Sequence, residues 1–412
     1  MRIAIVGAGI VGVNVAHALL DEGHHVILVD ALGRDTSPSN GNAGWIAHTD
    51  IMPLASPKVW RNLPRWLMDP LGPLTVRPAY IPQLTPWLIR FFLSATPGRI
   101  EASIGAIRAI NAEALPAWQR RLEALNLKHH LHERGILSVW KSRSAFEAAK
   151  GMLARQRAFG IAVETLDPSD VKKLEPALQN VAAAVLFPEA CHVSDPATVA
   201  SDLLQIAIRR GAEHVAEEAI AIETSGEAVR VRTGNPSRLI EADRVVLAAG
   251  AWSRTLVKQL GDTIPLDTER GYNSTFAPGT LGLNRPVAYE GEGFVTTPLD
   301  SGDRVGGAVE FAGLEAAPNH RRTEAMVERL KRYLPHLDST LPAKRWMGFR
   351  PSIPDSLPVI GTATRDKRIV YAFGHGHYGL TQSAITGDLV AAIVVGRDGA
   401  IDARPYSPQR FA

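Results

Sequence analysis

The stretch Arg2-Ile3-Ala4-Ile5-Val6-Gly7-Ala8-Gly9-Ile10-Val11-Gly12 decides the fold. Arg2 to Val6 is short, β-branched and unbroken, the pattern of a parallel strand buried on both faces. Gly7, Gly9 and Gly12 then fit G-x-G-x-x-G, and a helical pattern runs through Val13, Ala16, Leu19 and Leu20 until Gly23. His25 to Val29 reads as a second strand, with Asp30 and Ala31 at its C-terminal end. This is the strand–turn–helix–strand–acid unit that binds dinucleotides. Gly7 tightens the turn, Gly9 admits a pyrophosphate close to the backbone, and Gly12 lets helix and strand pack. Ile10 and Val11 open the helix whose N-terminus faces the phosphates, and Asp30 accepts the ribose hydroxyls. An acid there disfavours a 2′-phosphate, so NADP is not expected. FAD and NAD both remain open on these residues alone.

The rest of the composition narrows the class. At 412 residues the chain is expected to fold as two or three units. A net charge of +3 is nearly balanced, so no nucleic-acid partner is expected. The single cysteine, Cys191, excludes an internal disulfide and a multi-cysteine metal site. No apolar run is expected to reach the roughly 18 residues of a membrane span. No secretory signal precedes the first strand, and the expected location is the cytoplasm.

Further along, helical patterns cover 104–125, 145–159, 324–333 and about 380–395, and Asp195-Pro196 opens another that ends at Arg210. Val215 to Glu223, Val229 to Thr233 and Arg244 to Ala249 read as strands, and strand-rich sequence fills 266–311. A strand ending in Ala249-Gly250 this late suggests that distant segments complete the N-terminal sheet. The fold class expected is α/β, with a discontinuous dinucleotide-binding domain over 1–58, 190–262 and 343–412. A substrate domain would fill 59–189 and 263–342.

Six ordered landmarks beyond the glycine loop then carry a resemblance: Ser39-Asn40-Gly41-Asn42-Ala43-Gly44, Val246 to Ser253, Arg270-Gly271-Tyr272, Arg304 to Gly307, Gly348-Phe349-Arg350-Pro351 and Gly374 to Thr381. Over nearly its whole length the chain resembles the FAD-dependent D-amino-acid oxidase superfamily. Within it the likeness is greatest to bacterial D-amino-acid dehydrogenase and to relatives acting on hydroxy-D-proline. The resemblance implies a Rossmann-like FAD-binding domain of the discontinuous glutathione-reductase type and an α+β substrate domain with an antiparallel sheet. It implies oxidative deamination of a D-amino acid, with electrons passed to a quinone or another carrier. An oxygen-using oxidase and a flavin-bearing subunit of a larger dehydrogenase are the alternatives. The C-terminal cysteine by which some relatives attach flavin is absent, so FAD is expected to be non-covalent.

Such chemistry needs a hydride acceptor, a clamp for the substrate and stabilisation of charge on the acceptor. Arg350 suits the clamp, because a guanidinium fork holds a carboxylate by two parallel bonds. Gly374, His375, Gly376, His377, Tyr378, Gly379, Leu380 and Thr381 lead into the last helix, whose free N–H groups would stabilise reduced flavin. Ser39, Asn42, Ala43 and Gly44 are expected along the pyrophosphate and ring edge, with Ala249, Gly250 and Gly348 also near the cofactor. Tyr272 and Tyr378 are candidate catalytic hydrogen-bond donors, with a packed tyrosine as the other reading. His48 and His377 are candidate substrate contacts. No metal is expected, since His375 and His377 lack a third ligand. No general base is assigned, because the amine proton can be lost to water. The Tyr272/Asn273/Tyr378 neighbourhood suggests a small or cyclic neutral substrate of the D-proline or 4-hydroxy-D-proline type.

Between Pro53 and Arg99, Lys58, Arg61, Arg65, Arg77, Arg90 and Arg99 stand against the single acid Asp69, interleaved with Trp60, Trp66, Trp87, Phe91 and Phe92. This surface would suit peripheral contact with the inner face of the cytoplasmic membrane, where a quinone reoxidises the flavin. The other reading is an aromatic subdomain core with a solvated rim.

Overall fold

In the computed structural model the described residues are all except 32–34, 57–70, 73 and 225. The strand β1 (Arg2–Val6) is flanked in parallel by β2 (His25–Val29) on one side and by Arg244–Leu247 on the other. The six-stranded sheet around them also takes Glu213–Val215 and Ile369–Phe373 in parallel, with Val359–Thr362 antiparallel at one edge. Distant segments therefore do complete the N-terminal sheet. The reason is hydrophobic. β1 is buried on both faces, from Ile3 to Val6, and such a strand is stable only between two others and under helices.

The helix α1 (Ile10–Asp21) packs on this sheet against the last helix, Gly379–Val395. The close approach of α1 to the end of β1 requires Gly12, because a Cβ there would sit 1.9 Å from the carbonyl oxygen of Gly7. The stretch Gly376–Val395 is, contrary to the sequence expectation, long and apolar enough by composition to cross a membrane. It is mostly buried among the residues of the first core, so it packs as a core helix.

The second large sheet has nine strands, mostly antiparallel, with two parallel pairings. Next to one edge, the long strand Asp267–Phe276 lies between Gly302–Phe311 and the edge strand Lys344–Ser352. The strand Lys344–Ser352 thus belongs to this sheet, although the sequence reading put residues from 343 onward with the cofactor domain. Val215 to Glu223, read as one strand, divides. Glu213–Val215 joins the large parallel sheet, and Ala219–Glu223 joins a small antiparallel one with Val229–Thr233 and Leu239–Ala242. Asp195 caps the helix Pro196–Arg209 by accepting from the Thr198 N–H, as the acid–Pro pair predicts.

Candidate active site

Two cavities meet between the sheets. The first, of about 450 Å³, runs along the C-terminal ends of the parallel strands. The second, of about 730 Å³, is walled mainly by the nine-stranded sheet and the helix Ile81–Ser94. Gly41, Asn42, Trp346, Arg350, His377 and Leu380 line both. Where the two sheets face each other, the same few residues serve each cavity.

The first cavity is built for an anionic, elongated ligand. Gly7, Gly9, Ile10 and Val11 border it at the N-terminus of α1, which carries no side-chain cap. Ser39 also lines it and accepts the Ile10 N–H at 2.9 Å. Asp30 and Ala31 lie in the same wall, and the Asp30 carboxylate accepts the Ala8 N–H. Ala249 and Gly250 approach from the middle strand. Gly348, His375, Gly376, His377, Gly379 and Leu380 approach from the late segments. The final helix also begins without a side-chain cap, so a second helix N-terminus opens on the cavity and favours negative charge there.

Alternation along the long strand selects what faces the junction. Glu269, Gly271 and Asn273 stand opposite Arg350, Gly348 and Trp346 in the antiparallel register. The two glycines leave a trough across which the flanking side chains lie. A Cβ on Gly271 would fall 2.4 Å from the Arg350 guanidinium, and one on Gly348 would fall 2.1 Å from the Trp346 ring. Arg350 is partly buried and donates to the Ala308 carbonyl at 3.0 Å. Burial works against its charge, and Glu269 works for it.

The late turn contributes two different histidines. The His375 imidazole is buried and hydrogen-bonded through Nε2 to Thr386 Oγ1 at 3.0 Å. Burial holds it neutral, with its pKa down at about 3. His377 turns its ring into the junction, 3.6 Å from Glu269, exposed to the cavities it lines; desolvation there, followed by Arg350, lowers its pKa to about 3.

Several expected residues do other work. The Tyr272 ring borders the second cavity, but its hydroxyl is buried, donates to the Glu310 carboxylate and accepts the Asn319 N–H. Strand alternation turns it away from Arg350, so the packed reading replaces the donor reading. Tyr378 lines the second cavity, and its hydroxyl reaches the Met52 carbonyl at 3.4 Å. His48 lines neither cavity, and its Nδ1 bonds the Ile46 carbonyl at 3.2 Å. Thr381 braces the loop, accepting from the Ala47 N–H and donating to the Trp45 carbonyl. Asn42 caps its own turn by accepting the Gly44 N–H, while Ala43 lines only the second cavity. Gly374 is a packing position, since a Cβ there would strike Ile353 at 2.7 Å.

Sequence reasoning missed Trp346, Glu269 and Asp50. Asp50 lines the second cavity, and burial followed by Glu290 raises its pKa to about 7. With Glu269 and Glu290 in the same wall, this cavity is not charge-poor. Of the basic aromatic segment, Trp87 and Phe91 stack at 4.9 Å inside a core cluster, and Arg77 pairs with Glu310. Arg90, Phe92 and Arg99 are exposed. Lys58, Trp60, Arg61, Arg65, Trp66 and Asp69 lie outside the described residues.

A cavity along a glycine turn and helix N-terminus, sharing six wall residues with a second cavity, is the arrangement of an oxidoreductase that binds a dinucleotide cofactor. The match to the family model for FAD dependent oxidoreductases over residues 2–393 places the chain in that family. The D-amino-acid oxidase of Bradyrhizobium diazoefficiens is 39% identical over 100% of this chain and 99% of its own. The D-amino acid dehydrogenase of Dechloromonas aromatica is 29% identical over 96% and 97%. The fold is that of glycine oxidase from Geobacillus kaustophilus (TM-score 0.77, 20% identity, 100% and 99% covered). L-Proline dehydrogenase from P. horikoshii shares it, with a TM-score of 0.76, 19% identity and 100% and 97% covered. FAD is the cofactor. The Gly7–Gly12 turn and Ser39 would hold its pyrophosphate and Asp30 its ribose in the first cavity, and when bound it accepts a hydrogen with its electron pair.

Proposed function

We propose that the chain oxidatively deaminates D-amino acids, with Arg350 holding the substrate carboxylate and water hydrolysing the imine to a 2-oxo acid and ammonia. The observation that carries this is the place of Arg350 in the wall common to both cavities. A guanidinium there would orient Cα toward a ring bound in the first cavity, and orientation is a large part of what the protein must supply. Both the 39% and the 29% relatives bear names of D-amino-acid enzymes, which supports the stereochemistry.

Electrons pass to a quinone or another carrier in the dehydrogenase reading; the name of the 39% relative favours direct reaction with oxygen. Peroxide formed per turnover separates the two. Ile89, Phe92 and Leu93 are exposed on the helix Ile81–Ser94 beside Arg90, a face that suits peripheral contact with an anionic membrane. Sedimentation with anionic liposomes at low salt tests it, and absence of binding removes it. The Tyr272 hydroxyl is occupied and the carboxyls of Asp50, Glu269 and Glu290 line the cavity, a wall that does not favour a neutral side chain over a cationic one. The test of function is anaerobic bleaching of the flavin band against matched D- and L-amino acids, including D-proline and its 4-hydroxy forms. Bleaching by D-forms supports the proposal, and none by any D-amino acid removes it.

A further inference from the structure

Glu269 is 1% exposed and lines the second cavity at the junction. One carboxyl oxygen accepts from Ser352 Oγ; the other, Oε2, has no hydrogen-bond partner among the described residues. A buried acceptor left without a donor is costly, by about 1–3 kcal/mol, and such atoms in native sites often await a ligand. His377 does not fill the vacancy. At 3.6 Å it is beyond hydrogen-bond reach, and its ring is held neutral. Arg350, directly across the register, forms no ion pair with Glu269.

Resting on the proposed deamination, we infer that Glu269 is the second pole of the substrate site. Its Oε2 receives the α-ammonium of the amino acid whose carboxylate Arg350 holds, and it takes one ammonium proton before Cα is oxidised. An N–H bond breaks and an O–H bond forms at Oε2, leaving the electron pair on nitrogen. The Cα hydrogen then departs with its own pair to the FAD that the family carries, and the nitrogen pair closes the C=N bond. A protonated amine has no pair to give, so this transfer precedes oxidation.

The surroundings of Glu269 favour the neutral form of its carboxyl. Burial raises its pKa, Asp267 adds to the rise, and Ser352 and Arg350 oppose it. Those groups and His377 are what face it. A carboxylate and an ammonium brought together away from water gain by neutralising each other through proton transfer.

The test uses the FAD-loaded enzyme and two ligands that differ only in the amino group. 2-Aminoisobutyrate has no Cα hydrogen to lose, and isobutyrate lacks the amine. Calorimetry of the wild type is expected to give at least tenfold tighter binding of 2-aminoisobutyrate. Glu269→Gln should remove that preference while leaving isobutyrate affinity and FAD content unchanged, and Glu269→Asp should restore part of it. In Glu269→Gln, flavin reduction by a D-amino acid should become log-linear in pH up to the amine's own pKa. Equal affinities in the wild type overturn the inference even if neither variant folds. So does a preference that survives Glu269→Gln. A wild type that no D-amino acid reduces removes the deamination itself, a separate failure.

Discussion

Glu269 and Arg350 stand opposite each other on the paired strands Asp267–Phe276 and Lys344–Ser352, with no ion pair joining carboxyl to guanidinium. Buried opposite charges that close usually bond, because each otherwise bears its desolvation alone. Here the guanidinium lies across Gly271 toward the junction of the cavities. An amino acid carries the complementary pair of charges, a carboxylate for Arg350 and an ammonium for Glu269.

Replacing Arg350 with lysine keeps the charge and loses the planar fork. Flavin bleaching by the best D-amino acid should slow about a hundredfold, the scale of a misoriented substrate. Bound FAD should be unchanged. Stopped-flow reduction measures it, and a slowing of less than about threefold would count against the clamp.

Two glycine substitutions should fail differently. In Gly271→Ala the new methyl meets only the far end of the Arg350 side chain at 2.4 Å. That side chain can move, so folding and FAD content should persist while the KM for substrate rises. In Gly12→Ala the methyl meets a backbone oxygen at 1.9 Å, which cannot yield without opening the contact of α1 with its strand. FAD content and Tm should both fall. Identical behaviour of the two proteins would show that the trough does not hold Arg350.

Stability should decline in mild acid through His17. Its ring is fully buried, donates through Nε2 to the Leu203 carbonyl and accepts from Arg210 at Nδ1. Desolvation lowers its pKa from 6.5 to about 4, with the Arg121 and Arg210 charges also lowering it. The folded value lies below the unfolded one, so between them the unfolded chain binds more protons. The stabilisation is complete above pH 6.5 and is lost as pH falls toward 4, roughly 3 kcal/mol in all. Urea midpoints at pH 7 and pH 5 measure it. His375 and His377, also lowered to about 3, act in the same direction, so His17→Gln should shrink the difference without removing it, and an equal decline in that variant would assign the loss elsewhere.

Cys191 should be inert in the folded protein. It is 2% exposed, and burial followed by Glu133 raises its pKa to about 12, leaving almost no thiolate to react. A thiol reagent at pH 8 should label nothing until denaturant is added, and then one equivalent. Labelling of the native enzyme would contradict the packing described.

The cofactor half was legible in the sequence because its signals are local. Glycines at fixed offsets, two β-branched runs and an acid specify β1, α1 and β2 without reference to anything distant. Arg350 and the late turn were legible through motif context. Glu269 was not, although the means were present. Counting by twos from Gly271 puts residues 269 and 273 on its face and Tyr272 on the other, which both finds the acid and demotes the tyrosine. What sequence could not supply was the register that sets Glu269 across from Arg350, since that pairing joins positions some 80 residues apart. The same limit hid Trp346 opposite Asn273, and Asp50 in the cavity wall. The domain edge failed for a related reason: Lys344–Ser352 is extended in either domain, and only its partner strand says which.

The most direct test is a crystal structure of the FAD-loaded enzyme with 2-aminoisobutyrate bound. The ligand carboxylate is expected on the Arg350 guanidinium, with the amine toward Glu269 Oε2 and the quaternary carbon facing the flavin ring. A ligand seated elsewhere, with Arg350 directed into solvent, would contradict it.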